Sequence, residues 1–558
     1  MKIRLLVLMA VMSMLSSLAT AKSHLHRLSW DSDPSRNAVI GFSLLPFSHS
    51  PYVMYGSDTN EDNWTRIEPQ NKYRFGLIKE VAGLESYFVR LTDLTPDSDV
   101  FYKVCDNQGC GQRFWFRTAA EDQSPFVAVA GGDTRTGWTN RRAGNRLVAK
   151  IRPLFVMHGG DFTNANTAVE MTAFLSDWSL SFSEDVIDGV DYKRIYPMIP
   201  THGNHEDGDF ETLCRVFGVD FNLDGQCNEF DTYGAFNVSE LLRVYTLNSQ
   251  FQNDGKSAQA ASMNEWLEQD ISSEGAEAQW RFAQYHKPMF PHYAGKSDNM
   301  TLFNWWADSF YENAMNLVVE SDTHINKVTA TVRPKGEEMA TSRAGTVYVG
   351  EGSWGAPARS ANYPKSYTID LASIQQFKVI QVTSDEVVVR TAQFDETATT
   401  LTRTDRQDDA LALPLSVNWW YGYGIGESLS LVQDSNKRTV LNEEDFEIDD
   451  QFDDSALTQV LLNESDLLSF FSKSKSYTVT VPEGAKRLRA MTTSGIGNVN
   501  LFVQPVEPLP LVQNLSCWSN NSGTDEECII ENPPAGEWEV SLYRKYFYVG
   551  VDLLVEVR

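Results

Sequence analysis

The sequence predicts a multidomain chain: an N-terminal β-sandwich, a central α/β layer structure and a small C-terminal β-sandwich. Three observations predict it. Short strand-like runs separated by turn signals fill residues 27–118 at even spacing, the pattern of an immunoglobulin-like sandwich. From Ser124 the runs become wholly apolar, end in polar loops and alternate with helix-like stretches, as in a sheet covered on both faces. From Ser476 the short β pattern returns. A chain of 558 residues also exceeds what one hydrophobic core can organise.

At the start of the chain, Lys2 and Arg4 precede an apolar run over residues 5–18 and the small-residue site Ala19-Thr20-Ala21. This reads as a signal peptide over residues 1–21, implying a secreted or periplasmic protein. No later stretch is long and apolar enough to span a membrane. Six cysteines fall into three short-range pairs, Cys105 with Cys110, Cys214 with Cys227 and Cys517 with Cys528, and as disulfides they suit an oxidising compartment.

Residues 22–119 form the first sandwich, with strands such as Tyr52-Val53-Met54-Tyr55-Gly56 and Phe101-Tyr102-Lys103-Val104 and a turn at Leu94-Thr95-Pro96-Asp97-Ser98. Residues 124–395 carry the α/β layer. Its apolar strands begin with Phe126-Val127-Ala128-Val129-Ala130 and Pro153-Leu154-Phe155-Val156-Met157 and end with Asn316-Leu317-Val318-Val319; a helix is predicted over residues 262–271. In such folds ligands bind at the carboxyl ends of the strands. Residues 396–474 are less regular and hold the acidic groups Glu443-Glu444-Asp445 and Asp449-Asp450, so they read as a partly ordered acidic linker. Residues 475–558 are the last sandwich, opening on Tyr477-Thr478-Val479-Thr480-Val481.

The formal net charge is −28, which argues against nucleic-acid binding through the general surface. An anionic substrate has to be drawn in by a local positive centre, such as metal ions.

The chemistry concentrates at the strand ends of the middle domain. Asp133 follows Gly131-Gly132, Asp161 follows Gly159-Gly160, and the block Thr201-His202-Gly203-Asn204-His205-Glu206 follows an apolar run. His286 follows Tyr285, and Asp322 and His324 sit in Ser321-Asp322-Thr323-His324. Of the nine histidines, His158, His202, His205, His286, His292 and His324 lie in this domain. Carboxylates, imidazoles and a lone Asn amide form a hard-to-borderline ligand set suited to transition metals. A carboxylate shared by two ions roughly 4 Å apart is the two-metal design for phosphoryl transfer.

This order of Gly-Asp, Gly-Gly-Asp, Gly-Asn-His-Glu, His and a final His resembles the calcineurin-like metallophosphoesterase superfamily, and within it the purple acid phosphatases. Phe101-Tyr102-Lys103-Val104 with Phe116-Arg117-Thr118, and Tyr285-His286-Lys287-Pro288, are similar to that branch. The resemblance implies a fibronectin-III-like N-terminal sandwich and a central four-layer metallophosphoesterase β-sandwich flanked by helices. The end of the chain, through Gly497-Asn498-Val499-Asn500-Leu501 and Pro534-Ala535-Gly536, resembles the bacterial pre-peptidase C-terminal domain.

Carried over by position, the resemblance puts Asp133, Asp161 and His324 on one metal, lets Asp161 bridge to a second, and gives that second ion Asn204 and His286. His205 becomes the proton donor to the leaving oxygen. Two metal ions (Fe, Mn, Zn, Mg or Ca) and a small phosphate-ester substrate follow, with phosphomonoester hydrolysis by a dinuclear metal-hydroxide mechanism. Three positions depart from the family pattern: Arg135 where a His is usual, Asn164 where the purple enzymes carry Tyr, and Asp322 where a ligating His is usual. Asp322 and Asn164 remain oxygen ligands, which favours harder ions. Arg135 stays protonated; it either offers a bidentate clamp for phosphate or takes the place of a lost first metal. A phosphodiesterase acting on nucleotides or lipid head groups, and a secreted binding protein with a degenerate site, are the alternatives.

Overall fold

The computed structural model describes residues 23–76, 83–394, 397–422, 425–441, 459–470, 472–485, 487–506, 516–519, 523–524, 526–531 and 533–557. The signal-peptide segment and the acidic groups of residues 443–450 lie outside the described residues.

Two sheets face one another at the centre. One has eleven strands and runs from Thr439–Leu441 at one edge, through Gln376–Val382, Phe126–Gly131, Phe155–His158 and Pro197–Pro200, into Ser23–Ser29 and Ala38–Leu44. The other has seven, with Leu242–Thr246, Trp280–Gln284, Leu317–Val319 and Val347–Gly350 at its heart. The central strands of each sheet are parallel to their neighbours. Their side chains are apolar on both faces because both faces are covered. Ala128, Ala130, Met157 and Ile199 from the first sheet meet Val244, Phe282, Val319 and Val349 from the second in one buried core. Outside the first sheet pack the helices Trp138–Ile151 and Ala168–Trp178. Outside the second pack Ser257–Ser272 and Met300–Glu312. Helix, sheet, sheet and helix make the four layers of the central region.

The N-terminal strands pair antiparallel as Ala38–Leu44 with Leu84–Leu91 and as Asp99–Asp106 with Gly109–Arg117. They are continuous with the central region at two places. Ser23–Ser29 pairs in parallel with Pro197–Pro200, and Gly109–Arg117 pairs in parallel with Val190–Arg194. The stretch expected as a linker contains the helix Arg403–Asp408 and the strands Leu429–Gln433 and Thr439–Leu441. Leu429, Leu431 and Leu441 are buried in the inter-sheet core, so alternate apolar residues draw these strands onto the edge of the large sheet. Among the described residues the last region is one seven-stranded sheet system around the 22-residue strand Gly536–Val557. All three predicted disulfides are formed, and among the described residues no helix is long and apolar enough to cross a membrane.

Candidate metal centre

Five parallel strands, three from the first sheet and two from the second, point their carboxyl ends at one cleft. Asp133 follows Phe126–Gly131, Asp161 follows Phe155–His158, and Asn204 and His205 follow Pro197–Pro200. From the facing sheet, His286 follows Trp280–Gln284, and Asp322 and His324 follow Leu317–Val319. Asp133, Asp161, Asp322 and His324 all adopt positive φ, at 59°, 56°, 69° and 60°. Asp and His are among the few side chains that tolerate this region. Its cost is a reason to expect function rather than packing there.

The backbone approaches closely to make room. A Cβ on Gly203 would lie 2.4 Å from both the amide nitrogen and Oδ1 of Asp161, and one on Gly352 would lie 1.9 Å from Asp133 Oδ2. Glu206, wholly buried, ties two of the loops together. Its carboxylate accepts N–H bonds from Gly203 and Asp161 at 2.9 Å and from Phe162 at 3.1 Å. Burial and the Asp161 charge push Glu206 up to about 8.

The three imidazoles face inward in the same sense. Arg135 donates from Nη1 to His205 Nε2 and from Nη2 to His324 Nε2, the latter at 3.3 Å. A guanidinium can only donate, so both Nε2 atoms carry lone pairs and both Nδ1 atoms carry the proton. His205 Nδ1 then donates to the Asn164 carbonyl and His324 Nδ1 to the Pro357 carbonyl. His286 Nδ1 faces the Gly159 carbonyl at 2.8 Å, which likewise directs Nε2 into the cleft. A carbonyl behind each ring is how metal-ligating histidines are oriented.

What these ring nitrogens meet is carboxylate oxygen. His324 Nε2 lies 3.0 Å from Asp133 Oδ1, an oxygen with no hydrogen-bond partner. His286 Nε2 lies 3.2 Å from Asp161 Oδ1 and from Asn204 Oδ1, and 3.7 Å from Asp322 Oδ1. Burial works against a charged His286, yet the carboxylates of Asp161, Asp133 and Asp322 outweigh it and hold the ring at about 10. Asp161 is driven well below the carboxylate range despite its burial, by the neighbouring His286 and His205. Ligand oxygens and nitrogens of Asp133, Asp161 and His324 lie within 4.8 Å of one another. Convergent ligand atoms and an orphaned buried carboxylate oxygen fit a cation.

The cleft has a volume of about 570 Å³, and Arg135, Lys287, Lys296 and Arg359 line it among the acids. Lys296 pairs with the Asp322 carboxylate, and Arg359 donates to the Asp322 carbonyl at 3.0 Å. Of the residues singled out from the sequence, Asp133, Asp161, Asn204, His205, His286, Asp322, His324 and Arg135 meet here. Asn164 takes part through its carbonyl, behind His205, while its side chain is exposed. His158 and His202 are packing residues: His158 stacks on Phe162 and His202 on Phe210. Lys296 and Arg359 carry no sequence signal, since both lie in irregular loops. Glu206 stands in the conspicuous Gly-Asn-His-Glu block, and the arrangement of N–H donors around it, not its residue type, reveals its clamping role.

Comparison with known proteins agrees with this geometry. Residues 136–326 match the family model for calcineurin-like phosphoesterase, and residues 473–544 that for the bacterial pre-peptidase C-terminal domain. Two uncharacterized proteins of Mycobacterium tuberculosis are each 26% identical over 195 residues, 32% of this chain and 35% of theirs. The match thus spans about a third of the length of these relatives. A purple acid phosphatase from yellow lupin (Lupinus luteus) seeds superposes with a TM-score of 0.51 at 13% identity, covering 75% of each chain, a likeness of fold. The chain therefore carries a calcineurin-like phosphoesterase domain and a bacterial pre-peptidase C-terminal domain behind it.

Proposed function

We propose that this protein is an exported, metal-dependent phosphoesterase that hydrolyses phosphomonoesters. The observation that carries the reading is the convergence of Asp133, Asp161, Asn204, His286 and His324, with Asp322 beside them, on one cleft that also presents cationic side chains. Asp133, Asp161 and His324 would hold one ion, and Asp161, Asn204 and His286 a second. A pair of such ions supplies Lewis-acid polarisation of the phosphoryl oxygens and activation of water.

The chain's own residues do the rest. The Arg135 guanidinium touches both His205 and His324 in this cleft, and its fork suits two oxygens of a phosphate. Binding phosphate there releases His205 Nε2 from Arg135. The freed nitrogen can then hold a proton for the leaving-group oxygen, with the ring kept in register by the Asn164 carbonyl. Lys287, Lys296 and Arg359 raise the local positive potential in a chain of net charge −28, drawing an anion inward. Three disulfides and the pre-peptidase C-terminal domain support an oxidising, extracellular setting.

A second reading, a secreted binding protein with a degenerate centre, is favoured by the contacts of Arg135 with His324 and of Lys296 with Asp322, which occupy ligand atoms. Turnover of a phosphomonoester and a phosphodiester is measured across Mn, Zn, Fe, Mg and Ca, beside His205→Ala and Asn204→Ala. The expected result is metal-dependent monoester hydrolysis, reduced about 10²–10⁴-fold by His205→Ala and strongly by Asn204→Ala. Preference for the diester moves the substrate class. A folded protein without turnover in any metal, binding one ion or none, sinks the enzyme.

A further inference from the structure

Away from the cleft, the helix Thr212–Phe217 and the helical turn Glu229–Thr232 flank a loop that reads Asp220-Phe221-Asn222-Leu223-Asp224-Gly225-Gln226-Cys227-Asn228-Glu229-Phe230-Asp231. Asp, Asn and Asp at its first, third and fifth positions, Gly at the sixth and a carboxylate at the twelfth reproduce the spacing of the helix–loop–helix calcium loop. The conformation follows the same plan. Gly225 turns the chain at φ 74°. Its N–H donates to Asp220 Oδ2 at 3.0 Å, and the Asp224 N–H donates to Asp220 Oδ1 at 3.1 Å. Asn228 caps the turn that follows, with its side chain accepting the Phe230 N–H at 2.8 Å.

A separate observation points to a ligand. Asp231 is completely buried, 0% exposed, and its carboxylate turns back into the loop, where Oδ2 accepts the Asn228 N–H at 2.9 Å. Its other oxygen, Oδ1, has no hydrogen-bond partner. A buried carboxylate oxygen left in that state is costly unless a cation completes it. Asp231 lies within electrostatic reach of Asp220 and Asp224, and among the described residues no Lys or Arg forms an ion pair with any of the three. The nearby guanidinium of Arg90 is engaged elsewhere, donating to Asp31 Oδ2 and to the Gly218 carbonyl at 2.5 Å each.

We propose that residues 220–231 bind one calcium ion through side-chain oxygens of Asp220, Asn222, Asp224 and Asp231 and the carbonyl of Gln226. Asp at the twelfth position is one methylene shorter than the usual Glu, which places the affinity toward the weak end, about 10⁻⁴–10⁻³ M, typical of extracellular modules. The ion would brace a segment that already ties the region after His205 to the start of the chain. Cys214–Cys227 joins the helix to the loop, and the Val216 and Phe217 carbonyls accept bonds from Arg27 Nε at 2.7 Å and Ser29 Oγ at 2.9 Å.

The test uses the full chain, stripped of metal with a chelator and carrying Asp161→Asn to silence the cleft. Calcium alone is titrated calorimetrically and in thermal unfolding, with and without Asp224→Ala. Asp224 is exposed, so its loss leaves the fold intact; Asn222→Ala, at another exposed position, is the second variant. The expected result is one calcium per chain in the affinity range above and a calcium-dependent rise in the unfolding midpoint. Both are weakened at least about tenfold by either loop variant, while Asp224→Ala in an otherwise unaltered chain keeps its phosphoesterase turnover. Equal binding with and without the loop substitutions, or no response up to about 10 mM calcium, well above that range, overturns the proposal.

Discussion

Two clusters of buried charge lie back to back at the end of the strand Leu317–Val319, and they are built on opposite terms. On the cleft side, Asp133, Asp161 and Asp322 face His286 and His324, with one carboxylate oxygen unpartnered and the imidazole Nε2 atoms turned inward. On the other side, Lys327 sits between Glu320 and Glu351, with Nζ 2.6 Å from Glu351 Oε1. Tyr285 donates to Glu320 at 2.7 Å, and His292 Nδ1 lies 3.4 Å from Glu351. The second cluster is organised around one lysine held between two carboxylates. The first brings ligand atoms of Asp133, Asp161 and His324 to within 4.8 Å of one another, with Lys296 and Arg135 reaching it from the cleft. Burial alone does not distinguish them, since Glu320 and Asp133 are 1% and 0% exposed; the convergence of ligand atoms does.

The comparison breaks most visibly at Asp161. Asp161→Asn removes the carboxylate that faces His286, and the amide oxygen can still accept the His205 N–H that Asp161 Oδ1 accepts at 2.9 Å. Asn also tolerates φ 56°. Metal-dependent turnover should fall well beyond the roughly 100-fold cost of losing an outer-shell partner. The unfolding midpoint measured without metal should fall only modestly, since the fold favours the charged carboxylate through His286 and His205. A large drop in that midpoint with turnover retained would mean the cleft cluster is structural after all.

Lys327→Met makes the opposite cut. It leaves Glu320 and Glu351 buried without their cation, and breaking such a pair from one side costs about 3–5 kcal/mol. Denaturant unfolding should register that loss, while turnover per folded molecule stays within a few-fold. If turnover per folded molecule collapses instead, the Lys327 cluster takes part in the chemistry and the division drawn between the two is wrong.

The cleft was the more legible of the two in the sequence. Apolar runs that stop at Gly-Asp, Gly-Gly-Asp and Gly-Asn-His-Glu announce strand ends bearing ligands, because residues of those types have no packing reason to sit there. The Lys327 cluster is not announced: Glu320, Lys327 and Glu351 become partners only when three separate segments meet, and each alone reads as a surface charge. The same limit hides the parallel pairing of Ser23–Ser29 with Pro197–Pro200, which joins segments far apart in the chain and leaves no local pattern. At the other end of the chain, the single strand Gly536–Val557 reads as two because Arg544 and Lys545 interrupt its apolar alternation. It pairs with Ser474–Val481 up to Tyr543 and with Gln459–Ser469 from Tyr548, and Ile496–Pro505 pairs across the junction at Arg544.

Lys378 shows a third way of keeping a charge inside, and sharpens the contrast. It is buried beside the Lys327 cluster, donates to Thr391 Oγ1 at 2.7 Å and contacts Asn326 Oδ1, which belongs to a side chain that donates to Asp370 at 2.6 Å. Among the described residues no carboxylate touches it directly, and burial brings its pKa down from 10.5 to about 7, against a smaller opposing pull from Asp370. The folded chain therefore releases this proton near pH 7 while the unfolded chain holds it to about 10.5. Between those values the unfolded state binds more protons, so stability rises with pH across the window, and the cost of burying the charge is fully felt below it. At about 1.4 kcal/mol per pH unit, moving from pH 7 to 9 should add roughly 2–3 kcal/mol from this group. Denaturant unfolding at several pH values measures the slope, and Lys378→Met should flatten it while leaving the cleft chemistry in place. A slope that persists in the variant assigns the proton to another group; a Lys378 that stays charged without cost would mean that Asp370 neutralises it through Asn326, making it a second lysine-centred cluster.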